Sequence, residues 1–271
     1  MRLKGKQAFI TGSSRGIGRG IALTLAREGA VVAIHYYRNH EAAAEALAEV
    51  RELGSDGVIV KGDVTSVDDL HRMFAELRET FRTLDIFVSN ARTELVTFYE
   101  PPLEITLDQW ATAFDSQARA FLIGVKQAAA LMPSGGRILA ITYSPGGRTG
   151  SWQPWIAMGS AKAALESACR YFAVALAPRG ITVNAISPGL TEDSMLNNLP
   201  AANVLLARAW HQRWTPMGRL GTPADIGNVV ALMCSDEAAW ITGQVILADG
   251  GASLMDTVLP LELQQPQGAN V

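Results

Sequence analysis

Cysteine is nearly absent: the chain has two in 271 residues, Cys169 and Cys234, both in apolar, helical-looking stretches where a free thiol acts as a small hydrophobe. That count excludes a disulfide-stapled scaffold and a cysteine-built zinc centre; no metal is expected. Charge is sparse and balanced, 18% charged residues with a net charge of −3 and no basic run. Neither nucleic-acid phosphates nor an anionic membrane surface would find a landing patch. No apolar run reaches the roughly 18 residues of a membrane span, and Met1 to Gly5 leads into a strand-like run without an apolar signal-peptide core. The expectation is a cytoplasmic protein without a nucleic-acid or membrane partner. Repeats, low-complexity stretches and Pro/Gly-rich linkers are missing too, so 1–271 is read as a single domain.

What is present is a well-buried chain with many tight turns, 48% hydrophobic and 25 glycines. Apolar strand-like runs at 8–11, 31–35, 58–60, 86–89, 136–142, 181–186 and 245–248 alternate with amphipathic runs at 18–28, 41–53, 67–81, 107–131, 156–176 and 223–234. This rhythm predicts an α/β fold, a doubly wound parallel sheet with helices on both faces and ligands at the carboxyl ends of its strands. The stretch 191–220 follows Pro188-Gly189, carries Pro200 and Pro216, and is too irregular for a core element. It reads as a substrate lid. After Gly251 the chain turns polar and is expected to fray or pack on a neighbour.

The run Thr11-Gly12-Ser13-Ser14-Arg15-Gly16-Ile17-Gly18 stands between the first strand and the first helix, where backbone N–H groups meet a pyrophosphate. Gly12 permits the tight turn, Gly16 lets the backbone approach phosphates, and Gly18 lets helix and sheet close. Further on come Asp63-Val64, Ser89-Asn90-Ala91, Ala161-Lys162-Ala163-Ala164, Asn184-Ala185-Ile186-Ser187-Pro188-Gly189, and Ile241-Thr242-Gly243-Gln244 with Asp249-Gly250-Gly251. With these motifs in order over nearly its whole length, the sequence resembles the short-chain dehydrogenase/reductases, whose fold is of the Rossmann type. The resemblance implies that Ser14, Arg15, Gly16 and Ile17 belong to the pyrophosphate turn and that Asp63 and Val64 face an adenine. It also implies that Asn90 and Ala91 line the adenosine ribose and phosphates, and that Pro188, Gly189 and Thr191 hold a nicotinamide carboxamide. Asn90 can equally be a strand-end cap.

A carboxylate at the end of the second strand would accept ribose hydroxyls and repel a 2′-phosphate. Tyr36 stands there instead, and Arg38 and Arg15 can offer guanidinium donors to a phosphate. The cofactor read from this is NADP(H), although Arg38 can also be a solvated loop charge.

The catalytic positions depart from the pattern that the resemblance supplies. The tyrosine expected four residues before Lys162 is Met158, whose thioether has no exchangeable proton. In the enoyl-thioester reductase branch the tyrosine lies seven residues before the lysine, and there Trp155 stands. The run from Trp155 to Glu166 is most similar to that branch, but an indole can only orient and polarise. Gln117 occupies the place of the helix-borne asparagine, and Ser144 lies near that of the carbonyl-polarising serine, in a loop that carries extra residues. Tyr143 is the phenol nearest in sequence to the strand end, where a Lys162 ammonium would depress its pKa from the ordinary ~10. Its hydroxyl can also simply face water. Lys162 is expected to bond nicotinamide ribose hydroxyls, and Met158 and Trp155 can be substrate-wall residues.

The reading is an NADPH-dependent reductase of a conjugated C=C in a small molecule or acyl thioester. A carbonyl reductase using Tyr143, or a cofactor-binding protein with little turnover, is the alternative. Trp210, Trp214, Arg208, His211 and Arg213 in the lid could meet an acyl-carrier or coenzyme A phosphate, or form an ordinary amphipathic helix. Because the stretches 117–131 and 162–176 carry more apolar residues than one sheet face covers, a homo-oligomer, a tetramer, is expected.

Overall fold

A computed structural model describes residues 1–94, 97–143, 153–192 and 201–255. Seven strands, β1 (Gln7–Ile10), β2 (Val31–Tyr36), β3 (Gly57–Lys61), β4 (Ile86–Ser89), β5 (Arg137–Ile141), β6 (Thr182–Pro188) and β7 (Val245–Ala248), form one parallel sheet. Its order is β3-β2-β1-β4-β5-β6-β7. The chain works outward from β1 to β3, then returns to the other side of β1 with β4. The carboxyl ends of β1 and β4 therefore flank the topological switch point, where open α/β sheets leave a crevice.

Alternation along each strand sorts side chains between two cores. Ala8, Ile10, Ile86, Val88, Leu139 and Ile141 pack under α1 (Gly16–Arg27), α2 (His40–Glu52) and α8 (Pro223–Cys234). Phe9, Phe87, Ile138 and Ala140 pack against α3 (Val67–Phe81), α5 (Ala120–Leu131) and α6 (Ile156–Leu176). Helices α1 and α8 touch almost backbone to backbone: a Cβ on Gly227 would lie 2.4 Å from Thr24 Oγ1 and 2.7 Å from the Gly20 carbonyl. α8 starts cleanly because Thr222 and Asp225 cap each other reciprocally, with Pro223 in the first turn.

Two features differ from the sequence reading. The helix expected over 107–131 is α4 (Leu107–Phe114) and α5 joined by a π-helical turn, Asp115–Arg119. Such wide turns add a residue without breaking the apolar pattern, so periodicity does not reveal them. The irregular stretch 191–220 contains a helix, α7 (Ala201–Trp214), whose flanking prolines masked its regularity. Its neck is closed by a parallel bridge between Thr191 and Gly221, with the Glu192 N–H donating to the Gly221 carbonyl at 2.9 Å. Among the described residues no helix is long and apolar enough to cross a membrane.

Candidate active site

The crevice between β1 and β4 is lined first by the glycine turn. Gly12 (φ 67°) and Gly16 (φ 57°) take left-handed conformations. A Cβ on Gly12 would meet Ala91 Cα at 2.9 Å, and one on Gly18 would meet the Gly12 carbonyl at 2.2 Å. The N-terminus of α1 has no acidic residue in its first turn, and its N-cap Arg15 makes no side-chain cap, so the first N–H groups and a cationic side chain face the same end. Ser14 is buried and Ile17 packs against the core beneath α1. Ser13 is spent internally, donating to the Ile10 carbonyl and accepting from the His35 N–H, both at 2.8 Å.

Asn90 follows the capping alternative: its Nδ2 donates to the carbonyls of Thr11 (2.9 Å) and Gly12 (3.2 Å). Thr11 Oγ1 in turn accepts the N–H groups of Asn90 and Ala91 at 2.9 and 3.0 Å. These bonds lash β1 to β4 across the crevice floor. On the far lip, Asp63 accepts from Thr65 N–H and hydroxyl at 2.8 and 2.7 Å, and Val64 is buried. The Tyr36 hydroxyl meets His40 Nδ1 at 3.1 Å. Arg38 lies over the Tyr37 ring, 5.1 Å from its centroid, and pairs with Glu94 at 2.8 Å. Sequence reasoning missed Glu94; it belongs to the β4 loop and meets the β2 loop only in three dimensions. On the opposite side Pro188 ends β6, Gly189 approaches Asp249 so closely that a Cβ would lie 2.8 Å from its Cα, and Thr191 is buried.

Beyond β5 lies a third apolar cluster of Phe98, Ala113, Trp155, Ala157, Met158 and Ala161, with Tyr99, Trp110 and Phe114 against it. Met158 is wholly buried there. Trp155 opens α6, meets Phe98 at a tilt (centroids 5.1 Å, planes 59° apart) and stacks on Tyr143 (5.2 Å, planes 10° apart). One turn past Met158, Lys162 is buried and its Nζ donates to the Ile141 carbonyl at 2.5 Å. Burial first, and then the nearby Arg92 charge, pull its ammonium down to about 7 against the pull of Glu166. The Glu166 carboxylate accepts from Thr142 Oγ1 at 2.5 Å. Gln117, inside the π turn, donates to the Ala91 carbonyl at 3.2 Å.

Tyr143 corrects one expectation. Stacked on Trp155 and largely out of water, its phenol is pushed up to about 12 by burial rather than depressed by Lys162. Ser144 lies outside the described residues. Arg92 and Glu166 were missed in the sequence, where nothing distinguishes them from surface charges; Tyr99 was missed because it joins the cluster of Trp155 and Met158 only in three dimensions. On α7, Trp210 and Trp214 stack at 5.2 Å, Arg208 pairs with Glu192 at 2.7 Å, and burial lowers the pKa of His211.

A doubly wound sheet with a glycine turn at its switch point and a buried lysine beyond β5 defines a dinucleotide-dependent oxidoreductase class. The chain belongs to the short-chain dehydrogenase/reductases, matching the enoyl-(acyl carrier protein) reductase family over residues 12–253. It is 35% identical over 268 residues to a hydroxynaphthalene reductase-like protein of Metarhizium majus (strain ARSEF 297), covering 92% of this chain and 96% of that protein. It is likewise 35% identical over 254 residues to 1-cyclohexenylcarbonyl-CoA reductase of Streptomyces collinus, covering 92% and 87%. Among solved structures, an angucycline C-6 ketoreductase with bound NADP superposes with a TM-score of 0.84 at 34% identity, covering 94% of this chain and 98% of that one. The chain is a reductase of this family.

Proposed function

We propose that the chain is an NADPH-dependent reductase of a C=C conjugated to a carbonyl or thioester. The observation that carries this is the surroundings of Lys162: the side chain one turn before it is the buried thioether of Met158, and the neighbouring phenol of Tyr143 is a very weak acid. Adding hydride to a β-carbon leaves an enolate, which needs electrostatic stabilisation more than an immediate strong acid. Reducing a ketone leaves an alkoxide, which needs a proton at once. The name of the Streptomyces relative describes an enoyl-thioester substrate.

The groove fits the dinucleotide. Gly12, Gly16 and Gly18 leave a cradle that a Cβ would fill, and the N-terminus of α1 with Ser14, Arg15 and Ile17 offers N–H groups and positive charge to a pyrophosphate. Asp63 and Val64 would flank the adenine. Asn90 and Ala91 shape the floor beneath the ribose, Tyr36 leaves the 2′ position uncharged, and Arg38 with Arg15 would meet its phosphate. Pro188, Gly189 and Thr191 would hold the carboxamide. Lys162, now on the Ile141 carbonyl, would turn to the ribose hydroxyls. When bound, the reduced nicotinamide supplies the hydride. The residues of the chain do the rest: the Arg92 charge, joined by Lys162 while it is protonated, makes the site electropositive where the enolate oxygen develops, Gln117 fixes the Ala91 backbone, and Trp155 and Met158 wall the acyl or ring group. The stretch 191–220 acts as the lid, and the chain works as a homo-oligomer, a tetramer.

A second reading, a carbonyl reductase with Tyr143 as proton donor, is supported by the ketoreductase structures the chain is similar to. Stopped-flow NADPH oxidation against enones, enoyl thioesters and ketones separates the two. Turnover of conjugated substrates with slow or absent ketone reduction is expected. Rapid ketone reduction abolished by Tyr143→Phe, without enone turnover, favours the second, and no oxidation with any substrate leaves a cofactor-binding protein.

A further inference from the structure

His35 lies at the end of β2, pointing into the same core as Ala33 and Phe9; its ring meets Phe9 edge-on at 6.1 Å and is 2% exposed. A polar ring costs free energy in such surroundings unless both nitrogens are bonded. Here both are. The Gly12 N–H donates to Nδ1 at 2.7 Å, and Nε2 lies 3.1 Å from the Gly62 carbonyl. Since Nδ1 accepts, the ring proton sits on Nε2 and is given to Gly62. The backbone of His35 adds two more ties to the same turn: its carbonyl accepts the Ser13 N–H at 3.1 Å and its N–H donates to Ser13 Oγ at 2.8 Å. One side chain thus joins the two lips of the crevice, the glycine turn at Gly12 and the β3 end one residue before Asp63.

We propose that His35 is a positioning residue of the dinucleotide site, its uncharged imidazole holding Gly12 in the left-handed turn that a pyrophosphate needs and fixing that turn's distance from the adenine wall. This rests on the reading of the crevice as the dinucleotide site. The arrangement tolerates only the uncharged ring, because a proton on Nδ1 would aim one donor at another. Burial holds the imidazole down to about 4, against the carboxylates of Asp63 and Asp69 that face it; Asp69 is itself held by Arg72 and the Asp63 N–H. Dinucleotide binding and imidazole protonation therefore oppose each other.

The test compares wild type, His35→Asn and His35→Leu, each checked for folding by circular dichroism and melting. Asparagine can place its Oδ1 near the position of Nδ1, whereas leucine cannot accept a hydrogen bond. At pH 7.5, H35L should bind NADP⁺ at least tenfold more weakly and raise the KM for NADPH, with kcat within about threefold of wild type; H35N should keep affinity within about threefold. Between pH 5 and 3.5, below the range in which the cofactor's 2′-phosphate titrates, NADP⁺ affinity of the wild type should fall about three- to fourfold more than that of H35N while the circular dichroism of both is constant. A folded H35L with unchanged affinity, an H35N as impaired as H35L, or the same acid response in wild type and H35N overturns the proposal. Should H35L fail to fold, the acid series and H35N decide. Wild type without NADP⁺ affinity at pH 7.5 instead overturns the cofactor reading beneath it.

Discussion

Lys162 illustrates how one residue can be costly to the fold and necessary to the site. Its amine is buried and donates to the Ile141 carbonyl, and burial brings its pKa down from 10.5 to about 7. Below pH 7 folded and unfolded chains are both protonated, so the full burial cost weighs on the fold. Between about 7 and 10.5 the folded chain sheds its proton first, and the cost is relieved. Stability should therefore rise with pH across that window, and Lys162→Met should flatten the rise in melting experiments. At pH 7 that variant should be more stable by about 2 kcal/mol, the order expected for an imperfectly paired buried charge. It should also lose at least a hundredfold in kcat/KM. Glu94 makes a second residue-scale prediction. Because it occupies Arg38 in an exposed pair worth about 0–1 kcal/mol, Glu94→Gln should tighten NADPH two- to fivefold and leave NADH unchanged. Calorimetry with both nucleotides checks this, and equal effects on the two would separate Arg38 from the 2′-phosphate.

At the scale of elements, the strands and most helices were legible because their apolar periods are strong. α3, α6, α8, β4 and β7 have the bounds that the pattern predicts. The π turn was not, since it leaves no periodic mark, and α7 was legible only as the amphipathic-helix alternative around residues 208–214, its start hidden by the irregular, proline-bearing run before it. The site was legible where backbone chemistry dictates residue type, as at Gly12, Gly18 and Gly189. It was illegible where side chains meet from different loops: Arg38 with Glu94, Tyr143 with Trp155, His35 with Gly12. The sequence alone could set Tyr143 just past the end of β5 but not show that it would stack on Trp155 and that burial would drive its pKa upward. Close helix contact gives a sharp test. Gly227→Ala puts a methyl within 2.4 Å of Thr24 Oγ1 and 2.7 Å of the Gly20 carbonyl, and because the backbone cannot yield as a side chain can, it should destabilise by about 2–4 kcal/mol. Denaturant melts with an unchanged m-value would confirm a stability effect alone.

For the whole molecule, two long helices keep apolar side chains in water. Leu122 on α5 and Tyr171 and Val174 on α6 are exposed, the last two by more than three quarters (78% and 77%). If these faces join copies of the chain, Tyr171→Glu with Val174→Glu should reduce the particle from a tetramer to a smaller species in light scattering, with the sheet intact by circular dichroism. A wild-type particle of 29.0 kDa would refute the assembly. A different consequence follows from the bridge between Thr191 and Gly221. The chain leaves the sheet at Thr191 and returns at Gly221, and these two residues are bridged to each other. What lies between is an inserted module with coincident ends. Its length between Glu192 and α7 can change at little entropic cost, about 0.6 kcal/mol for each doubling, while Met217 N–H, at its far end, stays tied to the Gly250 carbonyl just past β7 at 3.3 Å. If the stretch is the substrate lid proposed above, substrate choice can be inherited separately from hydride chemistry. Exchanging residues 192–220 for the matching segment of a relative amounts to a change of reading head on an unchanged machine.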